Sequence, residues 1–205
     1  MNKFIAIAGN IGVGKTTLSK RLAEFFGGSV SLEPFEENPY LKDFYNDMKA
    51  WAFHSQMFFL GKKLENHLAT AQNPGFKIQD RSIYEDAEVF AKNLYRSGLI
   101  LERDWQVYWR VYKTGLKILP PPDLIIYLKA SVDTVMRRIK KRGRDFEEKM
   151  PREYIDNLNK LYEEWTSGFQ KSPILTVDYD KVDLKHNPED FNDFIKTVGA
   201  IIGGH

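Results

Sequence analysis

The chain has 205 residues, 42% of them hydrophobic and 28% charged, with a formal net charge of +2 and no cysteine. A single domain spanning 1–205 with a sizeable core is the expectation at that length. Near-neutral charge gives no whole-molecule argument for a nucleic-acid or membrane partner, and the lack of cysteine excludes disulfides and thiolate metal sites.

In chain order, residues 4–8 form a short apolar run that reads as a buried strand, and residues 17–26 read as a helix with Leu18, Leu22 and Phe25 on one side. Further buried strands are expected at 30–32, 76–79, 124–128 and 174–177. Helices are expected at 50–71, 83–95, 101–118, 131–141, 152–169 and 188–202. Pro120, Pro121 and Pro122 close the third of these, and Ser131 or Asp133 caps the fourth. Strands alternating with helices predict an α/β fold: a five-stranded parallel sheet with helices on both faces. The first, third and fourth strands are expected at its centre. The charged segment 142–150 is the candidate lid, with Pro151 marking the next helix start. No run approaches the ~18 apolar residues of a spanning helix. No secretory signal is visible, and the cytoplasm is the expected compartment.

The segment Gly9-Asn10-Ile11-Gly12-Val13-Gly14-Lys15-Thr16-Thr17 satisfies the phosphate-loop pattern G-x-x-x-x-G-K-[ST] at every fixed position. It lies between an expected strand and an expected helix, as the mechanism requires. Glycines let successive N–H groups curl around phosphate oxygens, and the helix N-terminus adds positive partial charge. Lys15 is placed to reach the β- and γ-phosphates and Thr16 to ligate Mg²⁺. A nucleoside triphosphate with Mg²⁺ is therefore the expected ligand pair.

Glu33 follows the second expected strand, where ligands sit in parallel α/β sheets. It is either a general base for an attacking hydroxyl or a solvated loop acid. Asp80 and Arg81 follow the third strand. Asp80 reads as a metal-holding carboxylate or as a helix N-cap, and Arg81 as a binder of the acceptor hydroxyl or the transferring phosphoryl group. Ser82, Asp86 and Phe90 recur every four residues. That spacing puts a hydroxyl, a carboxylate and a ring on one helix face, the pattern of a base reader and also of an ordinary amphipathic helix. Six cations fall between Arg137 and Arg144. A solvated helix end and an RNA patch are the competing readings; beside a phosphate loop, a triphosphate clamp is favoured. The histidines at 54, 67, 186 and 205 lack metal-ligand spacing.

In this order the motifs resemble the deoxynucleoside kinase family, over roughly residues 3–178. Glu33-Pro34 looks like its catalytic Glu-Pro. Tyr45, Trp51, Phe53 and Gln56 stand at spacings like those of its substrate helices, Asp80-Arg81-Ser82 looks like its Glu/Asp-Arg-Ser motif, and Arg138, Arg142, Gly143, Arg144 and Glu147 resemble its lid. The resemblance implies a P-loop NTPase-like three-layer fold with a short arginine-rich lid. It also implies roles. Glu33 would deprotonate the 5′-hydroxyl, and Arg81 would position that hydroxyl and the phosphate. Tyr45 and Glu147 would hold the 3′-hydroxyl. Gln56 would pair with the base, Phe90 and Phe53 would sandwich it, and Asp86 would discriminate between bases. Thr16, with Asp80 through water, would hold Mg²⁺. Lys15, Arg138, Arg142 and Arg144 would stabilise the phosphates. A homodimer built from the helices at 83–95 and 101–118 is implied too.

The segment from Glu36 to Leu41 looks like the bacterial branch, where purine deoxynucleosides are common substrates. Asp86 can accept from an exocyclic amine, which favours deoxyadenosine and leaves deoxyguanosine and deoxycytidine open. Lys63 stands where some relatives have arginine seven residues after the glutamine, which weakens transfer of their base preference. A thymidylate kinase shares the phosphate loop and an Asp-Arg motif but must neutralise an acceptor phosphate. A nucleotide-dependent switch or RNA-binding protein is the non-enzyme alternative; a DxxG-type element and a guanine-reading motif are both missing.

Overall fold

The computed structural model describes residues 2–33, 35–144 and 150–203. The strands are β1 (Lys3–Gly9), β2 (Ser29–Ser31), β3 (Phe76–Asp80), β4 (Leu124–Lys129) and β5 (Ile174–Asp178). They form one sheet in the order β2-β3-β1-β4-β5, with every neighbouring pair parallel. The expected centre is therefore observed. From β1 the chain goes to the edge strand β2, returns inward to β3 beside β1, and then crosses to β4 on the other side. The C-terminal ends of β1 and β3 lie side by side, with Ile7 in register with Asp80. A crevice at such a point is where open α/β sheets bind ligands.

The helices are α1 (Lys15–Phe26), α2 (Leu41–Asn46), α3 (Met48–Gln72), α4 (Ile83–Glu85), α5 (Lys92–Arg96), α6 (Glu102–Gly115), α7 (Val132–Arg142), α8 (Arg152–Gly168) and α9 (Pro188–Gly203). Successive strand residues face opposite sides of the sheet, and β1 shows what that achieves. Ile5 and Ile7 pack with Leu18 and Leu22 of α1, Val135 and Ile139 of α7, and Val198 of α9. Ala6 and Ala8 face the other way, where their small side chains leave room for Tyr84, Tyr108, Tyr112 and Tyr162. Helix α8 serves both faces, with Ile155 in the first cluster and Leu158 and Tyr162 in the second.

Three expectations are corrected. The helix expected at 50–71 begins earlier, because the Asp47 side chain accepts the Ala50 N–H at 3.1 Å; α2 before it was not anticipated. The helix expected at 83–95 is interrupted by a π-helical segment, Asp86–Ala91. Its cap is Ser82, which accepts from Glu85 N–H, so Asp80 is not a helix cap. The helix expected at 101–118 ends at Gly115, before the prolines. Ser131 caps α7 through the Thr134 N–H. Among the described residues no helix is long and apolar enough to cross a membrane.

Candidate active site

A cavity of about 370 Å³ opens over the C-terminal ends of β1 and β3. One side is the phosphate loop. Gly14 is the N-cap of α1 at φ 117°, and a Cβ there would lie 3.3 Å from the Tyr179 ring. At Gly12, φ 74°, a Cβ would meet Ile139 Cγ1 at 2.9 Å. Both positions need glycine for backbone and for space. Asn10 builds the loop and does not face the cavity: its Nδ2 donates to Ile155 O (3.1 Å) and Asn159 Oδ1 (2.8 Å), and its Oδ1 accepts from Ile11 N–H. Val13 is buried in the core, and its carbonyl accepts from Arg138 Nη1. Ile11, Gly12, Gly14, Lys15, Thr16 and Thr17 are on the wall.

Lys15 is buried and curls back, its Nζ donating to Gly9 O (2.7 Å) and Asn10 O (2.9 Å). Burial, and then the charge of Arg81, bring its ammonium down to about 8 against the pull of Glu85, Asp80 and Glu33. Thr16 Oγ1 donates to Asp80 Oδ2 at 2.5 Å, while Asp80 Oδ1 is buried without a partner among the described residues. A hydroxyl beside a carboxylate with an idle oxygen, under a phosphate cradle, is a donor set that suits Mg²⁺, which takes few protein ligands and keeps waters and phosphate oxygens. No group of three or more His, Cys, Asp or Glu that could hold a metal occurs among the described residues.

Opposite the loop stands Arg81, the one described non-glycine residue with positive φ (69°). That conformation is costly for a side-chain-bearing residue and marks functional sites. It is pinned on both sides: Arg81 N–H donates to Ile7 O (3.0 Å), and the buried Lys63 Nζ donates to Asp80 O (3.1 Å) and Arg81 O (2.5 Å). The guanidinium pairs with Glu33 (Nε to Oε1, 2.7 Å) and Glu85 (Nη1 to Oε1, 3.4 Å), and its Cζ lies 3.9 Å from the Phe90 ring centroid. Burial raises the Glu33 carboxyl, but Arg81, Lys63, Lys15 and Arg142 outweigh it and hold Glu33 below the ordinary glutamate value. Glu33 is therefore ionised at neutral pH, as a base must be.

The remaining wall holds Tyr45, Gln56, Asp86 and Phe90. The buried Gln56 Oε1 has no hydrogen-bond partner among the described residues. Asp86 is 4% exposed, 3.9 Å from Lys63 Nζ and 4.0 Å from Arg81 Nε. Burial raises its carboxyl to about 7, opposed by Lys63 and Arg81 and assisted by Glu33 and Glu85. Arg138, Arg142 and Arg144 line the mouth, Arg144 stacking over Phe35 at 4.0 Å. Glu147, Pro34 and residues 145–149 of the candidate lid lie outside the described residues.

Phe53 is not on the wall. It packs among apolar residues against α6 and Ala52, and Phe59 lines the cavity instead. At about 100° per residue, Phe53 and Phe59 flank Gln56 on opposite sides, and the cavity lies on the Phe59 side. Trp51 stacks on Tyr40 at 5.7 Å. Sequence reasoning also missed Tyr154, Phe44, Tyr162 and Glu85. Lys63 carried a usable signal, since seven residues are about two helical turns and bring it to the face of Gln56. Glu85 carried a misleading one. Ser82-x-x-Glu85 has capping-box spacing, yet the Glu85 side chain turns inward to accept Gly9 N–H at 3.1 Å.

A phosphate loop facing an Arg-paired, ionised carboxylate across one cavity, on this sheet, defines a P-loop phosphotransferase. The family model described as deoxynucleoside kinase matches residues 5–203. The deoxyadenosine/deoxycytidine kinase of Bacillus subtilis (strain 168) is 34% identical over 203 residues, covering 98% of this chain and 94% of that protein. The deoxyguanosine kinase of the same organism is also 34% identical over 203 residues, covering 97% of each. The structure of deoxyadenosine kinase from M. mycoides with bound dCTP superposes with a TM-score of 0.84 at 32% identity, covering 96% of this chain and 99% of that one. The chain belongs to the deoxynucleoside kinase family, and its bacterial branch, and is an ATP-dependent phosphotransferase acting on deoxynucleosides.

Proposed function

We propose that the enzyme transfers the γ-phosphate of ATP to the 5′-hydroxyl of deoxyadenosine, with Glu33 as base. The observation that carries this reading is the Glu33–Arg81 pair at 2.7 Å, set across one cavity from Lys15 and sharing it with Gln56 and Asp86. Glu33 takes the proton of the 5′-hydroxyl while that oxygen forms its bond to the γ-phosphorus. The bond from the γ-phosphorus to the bridging oxygen breaks, and ADP leaves with its electron pair. Little covalent work falls to the protein, so positioning and charge neutralisation dominate. Arg81 holds the acceptor hydroxyl against the phosphoryl group. Lys15, Arg138, Arg142 and Arg144 neutralise the phosphates, with 142–150 as the lid. Thr16 and Asp80 would hold Mg²⁺, which supplies further charge neutralisation when bound.

For the acceptor, Tyr45 and Glu147 are assigned to the sugar 3′-hydroxyl. Gln56, with its idle buried Oε1, is assigned to the base edge. Phe90 and Phe59 would contact the base faces. Asp86 would accept from an exocyclic amine, which adenine and cytosine carry. Assembly as a homodimer is supported by the exposed Leu101, Val107, Val111 and Ile118 around α6, since clustered exposed apolar residues mark interaction sites. The cytoplasm, where ATP is supplied, is the proposed compartment.

The test is transfer from ATP and Mg²⁺ to the four deoxynucleosides, their ribose forms and thymidine monophosphate. Deoxyadenosine 5′-monophosphate as the main product supports the assignment. Preference for deoxyguanosine or deoxycytidine moves the base, and activity on the monophosphate alone rejects the acceptor site described.

A further inference from the structure

Glu85 has no part in the mechanism above, yet it is a fully buried carboxylate at the centre of the site. A single oxygen, Oε1, gathers three groups from three parts of the chain. It accepts the Gly9 N–H at 3.1 Å from the phosphate loop, is contacted by the Tyr162 hydroxyl of α8, and lies 3.4 Å from Arg81 Nη1. The Tyr162 hydroxyl also lies 2.7 Å from Gly9 O, the carbonyl that accepts from Lys15 Nζ. Burial raises the Glu85 carboxyl above the ordinary glutamate value, while Arg81, Lys15, the Tyr162 hydroxyl and the Gly9 N–H all favour its charged form. A carboxylate this deeply buried is strongly unfavourable unless it is paired, so its presence calls for a reason.

The reason lies in what happens to Arg81. In the reaction proposed above, on which this inference rests, Glu33 becomes neutral when it takes the hydroxyl proton. Arg81 then loses the charge of its closest anion, 2.7 Å away. Asp86 stands further off, at 4.0 Å, and is shared with Lys63. Glu85 is the nearest remaining carboxylate, and its attachment to Gly9 fixes it relative to the phosphate loop. We infer that Glu85 is a positioning residue: a fixed counter-ion that holds Arg81 in line with the phosphate loop while Glu33 is protonated.

Glu33→Gln imitates the protonated base, so the side-chain Nε–H signal of Arg81 in that variant reads the proposal without any turnover. With Glu85 intact, the Glu33→Gln protein should keep the signal sharp and in slow exchange with solvent. Adding Glu85→Gln, which retains an oxygen to accept Gly9 N–H and Tyr162 O–H, should speed that exchange at least about tenfold. Glu85→Gln alone should lower kcat roughly tenfold to a hundredfold, as misplacement of a positioned group does. The KM values for ATP and nucleoside should stay within about threefold, because neither ligand loses a contact. Glu85→Asp, which keeps the charge, should recover most of kcat. Fast Arg81 exchange in the Glu33→Gln single variant overturns the proposal, whether or not the double variant folds. So does slow exchange in the double variant, or a Glu85→Asp as impaired as Glu85→Gln. A wild-type enzyme that phosphorylated no nucleoside would refute the proposed reaction, while the Arg81 signal would still report on Glu85.

Discussion

Replacing Asp86 with asparagine changes how stability depends on pH, and the size of the change follows from the site. Asp86 is 4% exposed and has no directed hydrogen bond to Oδ2. Burial lifts its carboxyl from 3.8 to about 7. At ~1.36 kcal/mol per pH unit, that rise corresponds to on the order of 4 kcal/mol. The folded state binds the proton more tightly than the unfolded chain, so this stabilisation is fully present below pH 3.8. It is lost as pH climbs from there through about 7, where the folded carboxyl finally ionises. Asparagine is neutral throughout and loses nothing. Chemical denaturation at several pH values between about 4.5 and 8 measures both proteins. The stability of Asp86→Asn relative to wild type should rise over that window and level off above about pH 7. Parallel profiles would refute the argument that Asp86 is held against its own charge. In the same variant, the ranking of bases should change more than the KM for ATP.

Thr16→Ala removes the hydroxyl that sits 2.5 Å from Asp80 Oδ2; the Mg²⁺ concentration for half-maximal activity should rise roughly tenfold or more, read from a metal titration of the rate. Gly14→Ala forces a side chain into φ 117° and 3.3 Å from Tyr179. It should weaken ATP binding by about 1–3 kcal/mol in calorimetry, with deoxynucleoside binding retained. Lys63→Met leaves the carbonyls of Asp80 and Arg81 without their buried donor; about 1–3 kcal/mol per group should be lost in denaturant unfolding, and kcat should fall as the Arg81 turn relaxes.

The parts legible in the sequence were those fixed by strict local spacing. The phosphate loop, the alternation that places Ile5 and Ile7 opposite Ala6 and Ala8, and Asp80-Arg81 at a strand end all depend on near neighbours. What escaped depends on contacts distant along the chain. Glu85 is drawn from its capping-box role because Gly9, 76 positions away, offers an N–H in the buried interior. The π-helical segment Asp86–Ala91 alters the spacing that four-residue repetition assumed. Phe53 and Phe59 are equally plausible neighbours of Gln56 on a helical wheel; only the packing of α3 against α6 decides between them. Arg81's positive φ has no sequence mark, since arginine is not a residue that favours it.

The central claim is that Glu33 removes the proton from the deoxynucleoside 5′-hydroxyl as phosphate leaves ATP. Single-turnover transfer from γ-labelled ATP to deoxyadenosine, in wild type and in Glu33→Gln, tests it most directly. The account predicts a loss of about 10²- to 10⁴-fold in the transfer rate, equivalent to about 3–5 kcal/mol of barrier, with ATP binding preserved. Transfer at the wild-type rate in Glu33→Gln would contradict it.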